Sequence, residues 1–210
     1  AVGTDATATG NSTTAVGGES VATGPGATAI GWQSGANAER AQAFGHLAKA
    51  NGIRSLAVGE AAVANSLESI AQGNQASATG VDAIAIGTTT VANGNSTTVV
   101  GGEAVADGVA ATAFGWQSGA TAERAHAFGH LAKASGIRSL AVGEAATANG
   151  LESIAQGNQA SATGADAIAI GTTTVANGNS STAVGGEATA NGTAATAFGW
   201  QSSATAERAH

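Results

Sequence analysis

The sequence predicts an all-β solenoid, a fold in which short strands stack coil upon coil, and three observations predict it. A glycine recurs every 14 residues without insertion, small-large-small-large-glycine pentads such as residues 83–87 end at that glycine, and a second glycine or small residue lies halfway between. A strict short repeat is typical of solenoids. The recurring glycines are Gly3, Gly17, Gly31, Gly45, Gly59, Gly73, Gly87, Gly101, Gly115, Gly129, Gly143, Gly157, Gly171, Gly185 and Gly199.

The spacing within each repeat predicts two strands per coil. We number every repeat so that the recurring glycine is position 14. Position 7 is also glycine in most repeats, as at Gly24 and Gly52, and we expect it to supply the backbone freedom of a second turn. A helix would lose about 1 kcal/mol for each glycine, whereas period-2 alternation favours strands. Two strands and two turns in 14 residues make about 15 coils along this chain.

The alternation also assigns side chains to faces. Positions 10 and 12 are small, Ala83 and Ala85 in the clearest pentad, and position 5 is always alanine, so we expect these residues inside a narrow coil. Position 13 is too bulky and varied for that interior. A continuous exposed apolar column promotes aggregation unless a partner covers it, and we expect the same column of identical chains to do so. The predicted interface is Val16, Ile30, Phe44, Val58, Gln72, Ile86, Val100, Phe114, Phe128, Val142, Gln156, Ile170, Val184 and Phe198.

Composition excludes several classes of protein. The net charge is −7 and Lys plus Arg number only seven, whereas nucleic-acid binding needs a dense basic face. Cysteine is absent, which excludes disulfides, thiolate nucleophiles and Cys-based metal sites. No apolar run approaches the roughly 20 residues of a membrane span, and residue 1 already lies within the repeat, so no signal peptide is recognisable. We expect a segment of a longer protein.

The pentads at residues 55–59 and 167–171 carry a family resemblance. In their 14-residue register, which covers essentially the whole chain, they resemble the head repeats of YadA-like trimeric autotransporter adhesins. The resemblance implies a left-handed parallel β-roll, with residues 1–210 as a single head segment and three identical chains side by side around a threefold axis. The position-13 column would then be the trimer interface.

The same resemblance implies a place and a role. It places the chain at the cell surface of a Gram-negative bacterium, as an exported passenger held to the outer membrane only through a C-terminal domain outside this sequence. It implies attachment to extracellular-matrix proteins, host cells, abiotic surfaces or further copies of the protein. A non-adhesive spacer of the surface fibre is the alternative.

Polar residues depart from the family pattern at two outward positions. Gln72 and Gln156 stand at position 13, while His126 and His210 stand at position 11, where Gln42 is their counterpart. Facing a threefold axis, they would form polar layers. We favour layers that fix the register of the assembly, as buried polar residues do in coiled coils. Three glutamines that satisfy one another, or hold a water or an anion, are the alternative.

An 84-residue super-repeat brings tryptophan and most basic residues into bands. Trp and Arg are enriched at binding hot spots, so a band is a candidate ligand patch that a trimer would present three times. The alternative is that Trp covers a turn while Arg pairs with Glu39 or with a carboxylate of a neighbouring chain. The predicted patch comprises Trp32, Arg40, His46, Lys49 and Arg54, then Trp116, Arg124, His130, Lys133 and Arg138.

Catalytic, cofactor and metal chemistry find little support in the sequence. His46 and Glu60 share a column, but no nucleophile accompanies them as acid–base or covalent catalysis requires, so no enzyme and no cofactor are predicted. The calcium-binding nonapeptide pattern is absent, so no metal is predicted. Threonine runs at residues 88–90 and 172–174 are typical of ice-binding solenoids, but the threonine columns do not persist, which disfavours that function.

Overall fold

The computed structural model describes residues Ala1–His210 and contains strands and turns but no helix. The predicted all-β parallel solenoid with two strands per coil is confirmed. The chain divides into two units, Ala1–Ala104 and Val105–His210, which we describe separately. The assignment of residues 1–210 to a single head segment stays a prediction.

Strands in both units alternate between two parallel sheets. Odd-numbered strands have two residues and form the short-strand sheet; even-numbered strands have three and form the long-strand sheet. In the first unit the strands are β1 (Thr7–Ala8), β2 (Thr14–Val16), β3 (Val21–Ala22), β4 (Thr28–Ile30), β5 (Gly35–Ala36), β6 (Gln42–Phe44), β7 (Lys49–Ala50), β8 (Leu56–Val58), β9 (Val63–Ala64), β10 (Ile70–Gln72), β11 (Ser77–Ala78), β12 (Ile84–Ile86), β13 (Val91–Ala92) and β14 (Thr98–Val100).

The second unit repeats this order and register. Pairing joins residues 14 apart in both, as in Ile70↔Ile84 of the first unit and Ile154↔Ile168 of the second. Its strands are β15 (Val105–Ala106), β16 (Thr112–Phe114), β17 (Gly119–Ala120), β18 (His126–Phe128), β19 (Lys133–Ala134), β20 (Leu140–Val142), β21 (Thr147–Ala148), β22 (Ile154–Gln156), β23 (Ser161–Ala162), β24 (Ile168–Ile170), β25 (Val175–Ala176), β26 (Thr182–Val184), β27 (Thr189–Ala190), β28 (Thr196–Phe198) and β29 (Ser203–Ala204).

Two hydrogen-bonded turns close each coil. In the first turn, which spans positions 14 to 3, the amide of Ser20 donates to the carbonyl of Gly17 at 3.3 Å; in the second, which spans positions 7 to 10, the amide of Ala27 donates to Gly24 at 2.9 Å. The third residue of each turn is left-handed, with φ of 55° at Glu19 and 71° at Gly26. Type II turns place a left-handed residue there. Positions 2 and 9 therefore make the turns, although they are seldom glycine.

The predicted reason for glycine at position 7, backbone freedom, is wrong. This glycine does not adopt a positive φ; a Cβ built on Gly24 would lie 1.9 Å from the carbonyl oxygen of Ala38 in the next coil. Close approach of two backbones, not backbone freedom, explains glycine at position 7 in most coils; Ala38, Ser66, Ala122 and Ala206 occupy the others. The position-14 glycine needs both, because Gly17 has φ of 127° and its Cβ would lie 2.6 Å from the Gly31 carbonyl oxygen.

The core of each coil is a file of small side chains. In the coil of the clearest pentad, Ala76, Ala78, Ala83 and Ala85 are fully buried. The expected inward positions 5, 10 and 12 are thus confirmed, and position 3, which the sequence did not single out, joins them. Such a core buries little apolar area per residue, so each coil depends on the hydrogen bonds and packing that it shares with its neighbours.

Serine and threonine replace alanine at two of the four core positions because their hydroxyls can reach a turn carbonyl. Ser20 at position 3 donates to the carbonyl of Gly17 at 2.9 Å, and Thr97 at position 10 donates to that of Gly94 at 2.8 Å. A buried hydroxyl without a partner would be costly. Three position-10 serines, Ser55, Ser139 and Ser181, do lack a partner.

Candidate adhesive surfaces

The outer face of the long-strand sheet carries the predicted interface column. No position-13 residue is buried; Ile30 is 40% exposed, Phe114 is 38% exposed and Phe128 is 37% exposed. In the second unit the rings of Phe114 and Phe128 stack with centroids 5.8 Å apart. The column therefore presents a row of apolar side chains on each unit, interrupted at Gln72 and at Gln156, as a face that packs against another chain would.

The predicted polar layers lie on the same face. Gln72 and Gln156 are exposed as the last residues of β10 and β22, and Gln42 is exposed as the first residue of β6. His126 is half-buried, with its ring centroid 6.5 Å from that of Phe128, and His210 is exposed at the end of the chain. Their assignment to layers around an axis stays a prediction.

The predicted aromatic residues form a ladder along the first turns. In the first unit Trp32 stacks on His46 with ring centroids 4.9 Å apart, and His46 Nδ1 lies 3.6 Å from Glu60 Oε1. The amide of Asn74 then donates to Glu60 Oε2 at 3.0 Å. Four consecutive coils are joined by these side chains, so the predicted Trp–His–Glu stack is a contact and not only a column.

The second unit repeats this ladder. Trp116 stacks on His130 at 5.1 Å, His130 Nδ1 lies 3.5 Å from Glu144 Oε1, and Asn158 donates to Glu144 at 3.0 Å. Asparagine is the member that the sequence did not reveal. Its position one coil beyond the glutamate is the pattern that could have shown it.

The indole of Trp32 has neighbours in both adjacent coils. His46 covers one side, and a Cβ built on Gly18 would lie 3.1 Å from Trp32 Cδ1, so the glycine leaves room for the ring. The side chain is nevertheless 49% exposed. Stacking of a ligand on a free indole face is therefore disfavoured, whereas contact with the ring edge remains open.

The arginines of the predicted patch lie on the second turns instead. Arg54 Nη2 is 2.5 Å from Glu68 Oε1 in the next coil, and Arg40 Nε is 3.7 Å from Glu39. In the second unit Arg138 pairs with Glu152 and Arg124 with Glu123. The pairing with Glu39 was one of the sequence interpretations; the bridge to the following coil was not.

The lysines occupy a third surface. Lys49 and Lys133 are exposed on the outer face of the short-strand sheet, each beside a glycine of the preceding strand, Gly35 and Gly119. The structure thus distributes the predicted patch over the first turns, the second turns and the short-strand face. It brings Trp to His, but it does not bring either to the arginines.

The rest of the short-strand face is polar and internally bonded. The side-chain amide of Asn37 donates to Asn51 Oδ1 at 2.8 Å, and Asn51 donates to Asn65 Oδ1 at 2.8 Å. In the second unit Thr163 donates to Asn177, which donates to Asn191. These ladders satisfy much of the polar surface of this face without a partner.

The structure contains neither a metal-binding cluster nor a membrane-spanning helix. No group of three or more His, Cys, Asp or Glu side chains is placed to hold a metal ion. No helix long and apolar enough to cross a membrane is found.

A protein-family comparison decides the family. A model described as the YadA head domain repeat, in two copies, matches overlapping segments of nearly the whole chain. The segments are residues 1–20, 22–48, 36–62, 50–76, 64–90, 92–118, 120–146, 134–160, 148–174, 162–188, 176–202 and 190–209. The chain belongs to the YadA head family.

Membership in the YadA head family confirms the resemblance that the pentads carry. YadA heads are surface-exposed passenger regions of trimeric autotransporter adhesins, a structural and adhesive family without enzymatic activity. No curated protein matches this YadA head segment.

Proposed function

We propose that this chain is an adhesive head segment of a trimeric autotransporter adhesin, which works as a homotrimer on the surface of a Gram-negative bacterium. One observation carries the proposal: the position-13 column leaves large side chains exposed on each unit, such as Ile30 at 40% in the first and Phe114 at 38% in the second. An extended row of exposed apolar side chains marks a surface that a partner covers. Three position-13 columns facing a common axis supply that burial.

Adhesion would follow from multivalency more than from tight individual contacts. A trimer presents every surface group three times on one scaffold, and linked weak sites raise avidity without any new contact. The candidate contact groups are the edges of Trp32 and Trp116, the free lysines Lys49 and Lys133, and the arginine row with Arg54. Matrix proteins, host-cell surfaces, abiotic surfaces and further copies of the protein are the candidate targets.

The test is a binding screen of the purified segment after its mass has been measured by light scattering. A trimer that binds collagen- or fibronectin-coated, bare polystyrene or self-coated surfaces supports the proposal. A trimer that binds none of them is the non-adhesive spacer of the surface fibre. A monomer at every concentration contradicts the homotrimer itself.

Three variants then locate the contact surface, because the predicted patch lies on three surfaces. Trp32→Ala with Trp116→Ala removes the first-turn aromatics, Arg54→Ala with Arg138→Ala removes second-turn cations, and Lys49→Ala with Lys133→Ala removes the lysines. Hot-spot truncations weaken binding by about tenfold or more. Unchanged adhesion of all three trimers rejects the patch and leaves the short-strand ladders as the candidate contact.

A further inference from the structure

An apolar ridge runs along the second turns of the first unit. Ile53, Leu67 and Val81 stand at position 8 of three consecutive coils and are 47%, 39% and 36% exposed. Each is the second residue of its turn, next to the left-handed residue of position 9. Neither the position-13 column nor the ligand patch accounts for them.

The ridge is continuous with the outer face of the long-strand sheet. Three residues further along each coil, position 11 carries Leu56, Ile70 and Ile84, which pair coil to coil and are half-buried. Six aliphatic side chains therefore adjoin in three coils, and the apolar surface passes from the turn onto the sheet. A contiguous apolar surface of this extent marks an interaction site.

The second unit contains the same arrangement. Ile137 and Leu151 are 48% and 44% exposed at position 8, beside Leu140 and Ile154 at position 11. In the third coil the ridge residue is reduced to Ala165.

Positions 8 and 11 change polarity together in most coils. The coils of Ile53, Leu67, Val81, Ile137 and Leu151 have an aliphatic residue at position 11, whereas Glu39 and Glu123 accompany Gln42 and His126; Val109 is the exception, because it accompanies Thr112. The two Glu coils and the Val109 coil carry phenylalanine at position 13, and the five other aliphatic coils carry Val, Ile or Gln there. Both positions are incompletely buried in the single chain. The shared change across turn and sheet supports one opposing surface that contacts both.

Four of the charges beside the ridge are paired within the chain. Arg54 pairs with Glu68 and Arg138 pairs with Glu152, each across adjacent coils; Asp82, beside Val81, is in no such pair. An apolar centre with a polar rim is typical of protein interfaces. Since the four paired rim ions already have partners, the opposing surface need not supply charges for them, which suits a second copy of the same chain.

We propose that the ridge of each unit, formed by Ile53, Leu67 and Val81 in the first and by Ile137 and Leu151 in the second, packs against the neighbouring chain of the homotrimer. The chain–chain contact then extends from the long-strand face around the second turns. Coils with an aliphatic residue at position 8 contribute more to this contact than the coils with Glu39 or Glu123. The inference rests on the proposed homotrimer and goes beyond its position-13 column. The apolar residues of the second turns then become part of the assembly.

A charge-insertion experiment tests the ridge. Leu67→Glu with Leu151→Glu places a carboxylate at its centre in each unit; Val63→Glu with Thr147→Glu adds the same charge to half-exposed sites on the short-strand face. Sedimentation velocity across a dilution series gives the dissociation constant, and circular dichroism reports the solenoid. We expect the dissociation constant of the ridge variant to rise about 100-fold or more, because burying a carboxylate is costly. We expect the dissociation constant of the control to match that of the unaltered chain.

A labelling experiment covers the case in which the ridge variant does not fold. The chain has no cysteine, so Leu67→Cys and Val63→Cys each introduce a single thiol. In the assembled protein we expect a maleimide to react with Cys at the ridge at least about tenfold more slowly than at the control site, and this difference to vanish on dissociation.

The outcomes separate this inference from the function on which it rests. An unaltered chain that is trimeric, with a ridge variant that assembles equally well or a ridge thiol that labels as fast as the control, overturns the ridge alone. An unaltered chain that is monomeric overturns the homotrimer and the ridge together.

Discussion

The two outer faces of each coil differ in how far their surface side chains find partners within the chain. The long-strand face presents aliphatic residues such as Ile84 and Ile86, which find nothing within the chain to cover them fully. The short-strand face presents Asn37, Asn51 and Asn65, whose amides bond to one another from coil to coil. One face is left with surface that water disfavours, and the other has satisfied its own polar groups.

This difference indicates which face packs against other chains and which face stays available for recognition. Both faces are built over the same alanine core and the same 14-residue register, so backbone geometry does not distinguish them. Only the outward positions do: 11 and 13 on one face, 4 and 6 on the other. A partner chain gains most by covering the first face, and the second can stay in water without cost.

The largest expected effect comes from a charge on the apolar face. Ile86→Asp with Ile170→Asp should weaken chain assembly by about 3 kcal/mol or more, because carboxylates would be buried without partners. The matched control is Val91→Asp with Val175→Asp, which places the same charges on the short-strand face and should leave the oligomer intact. Light-scattering mass measures both. Equal behaviour of the two variants would erase the distinction between the faces.

The next effect tests the turns that hold both faces in register. Gly24→Ala should destabilise the first unit by about 2 kcal/mol or more, since its Cβ would overlap the Ala38 carbonyl and overpacking displaces the backbone. Denaturant unfolding and hydrogen exchange at neighbouring amides measure the loss.

Gly35→Ala is the control for that substitution. The nearest atom to its Cβ is Asn37 Nδ2 at 3.5 Å, an ordinary contact, so we expect no loss and a gain of up to about 1 kcal/mol from a less flexible unfolded chain. A tolerated Gly24→Ala, or a damaging Gly35→Ala, would contradict the close-approach explanation.

A smaller effect is expected on the polar face. Asn51→Ala breaks both rungs of its ladder and should cost about 1 kcal/mol, because exposed hydrogen bonds contribute modestly. Asn149 occupies the same position in the second unit without a side-chain bond, so Asn149→Ala should change the unfolding free energy little. Thermal unfolding compares them, and identical midpoints would show that the ladder does not stabilise this face.

The smallest effect concerns the ion pairs of the second turns. Arg54→Ala with Arg138→Ala should reduce stability by less than about 1 kcal/mol per pair, since each pair is about half exposed and salt screens it. Unfolding midpoints at low and high salt measure it. A larger, salt-sensitive loss seen only in the assembled protein would place these arginines against a neighbouring chain.

Periodicity was sufficient to predict the fold and the inner and outer positions of the strands. Small side chains at Ala83 and Ala85 leave no other place for Ile86 than outside, and the 14-residue glycine sets the register. The burial of position 3 was not predicted, because this position lies in a turn, where the alternation of inward and outward side chains does not hold. The left-handed conformation of Leu47 and Thr89 was not predicted either, since such residues seldom adopt it and their side chains give no signal of the turn that requires it.

The surfaces were harder to predict than the coil. Shared banding in sequence suggested that Trp32 and Arg54 form one patch, but a strand separates the two turns on which they lie. The ridge at Leu67 was visible in principle as a column of aliphatic residues spaced by 14. Its meaning depends on exposure and on continuity with position 11, which sequence alone does not supply.

The coil-to-coil hydrogen bonding has a consequence for how such chains change length. The amide of Gly31 donates to Val16 and that of Thr28 to the carbonyl of Ala41, so each coil is a template for the next and bonds only to its immediate neighbours. Inserting or deleting a whole coil preserves the backbone pairing of the coils, whereas a single inserted residue would turn alanines outward. Recombination between repeated gene segments can therefore lengthen or shorten the protein without a new folding problem.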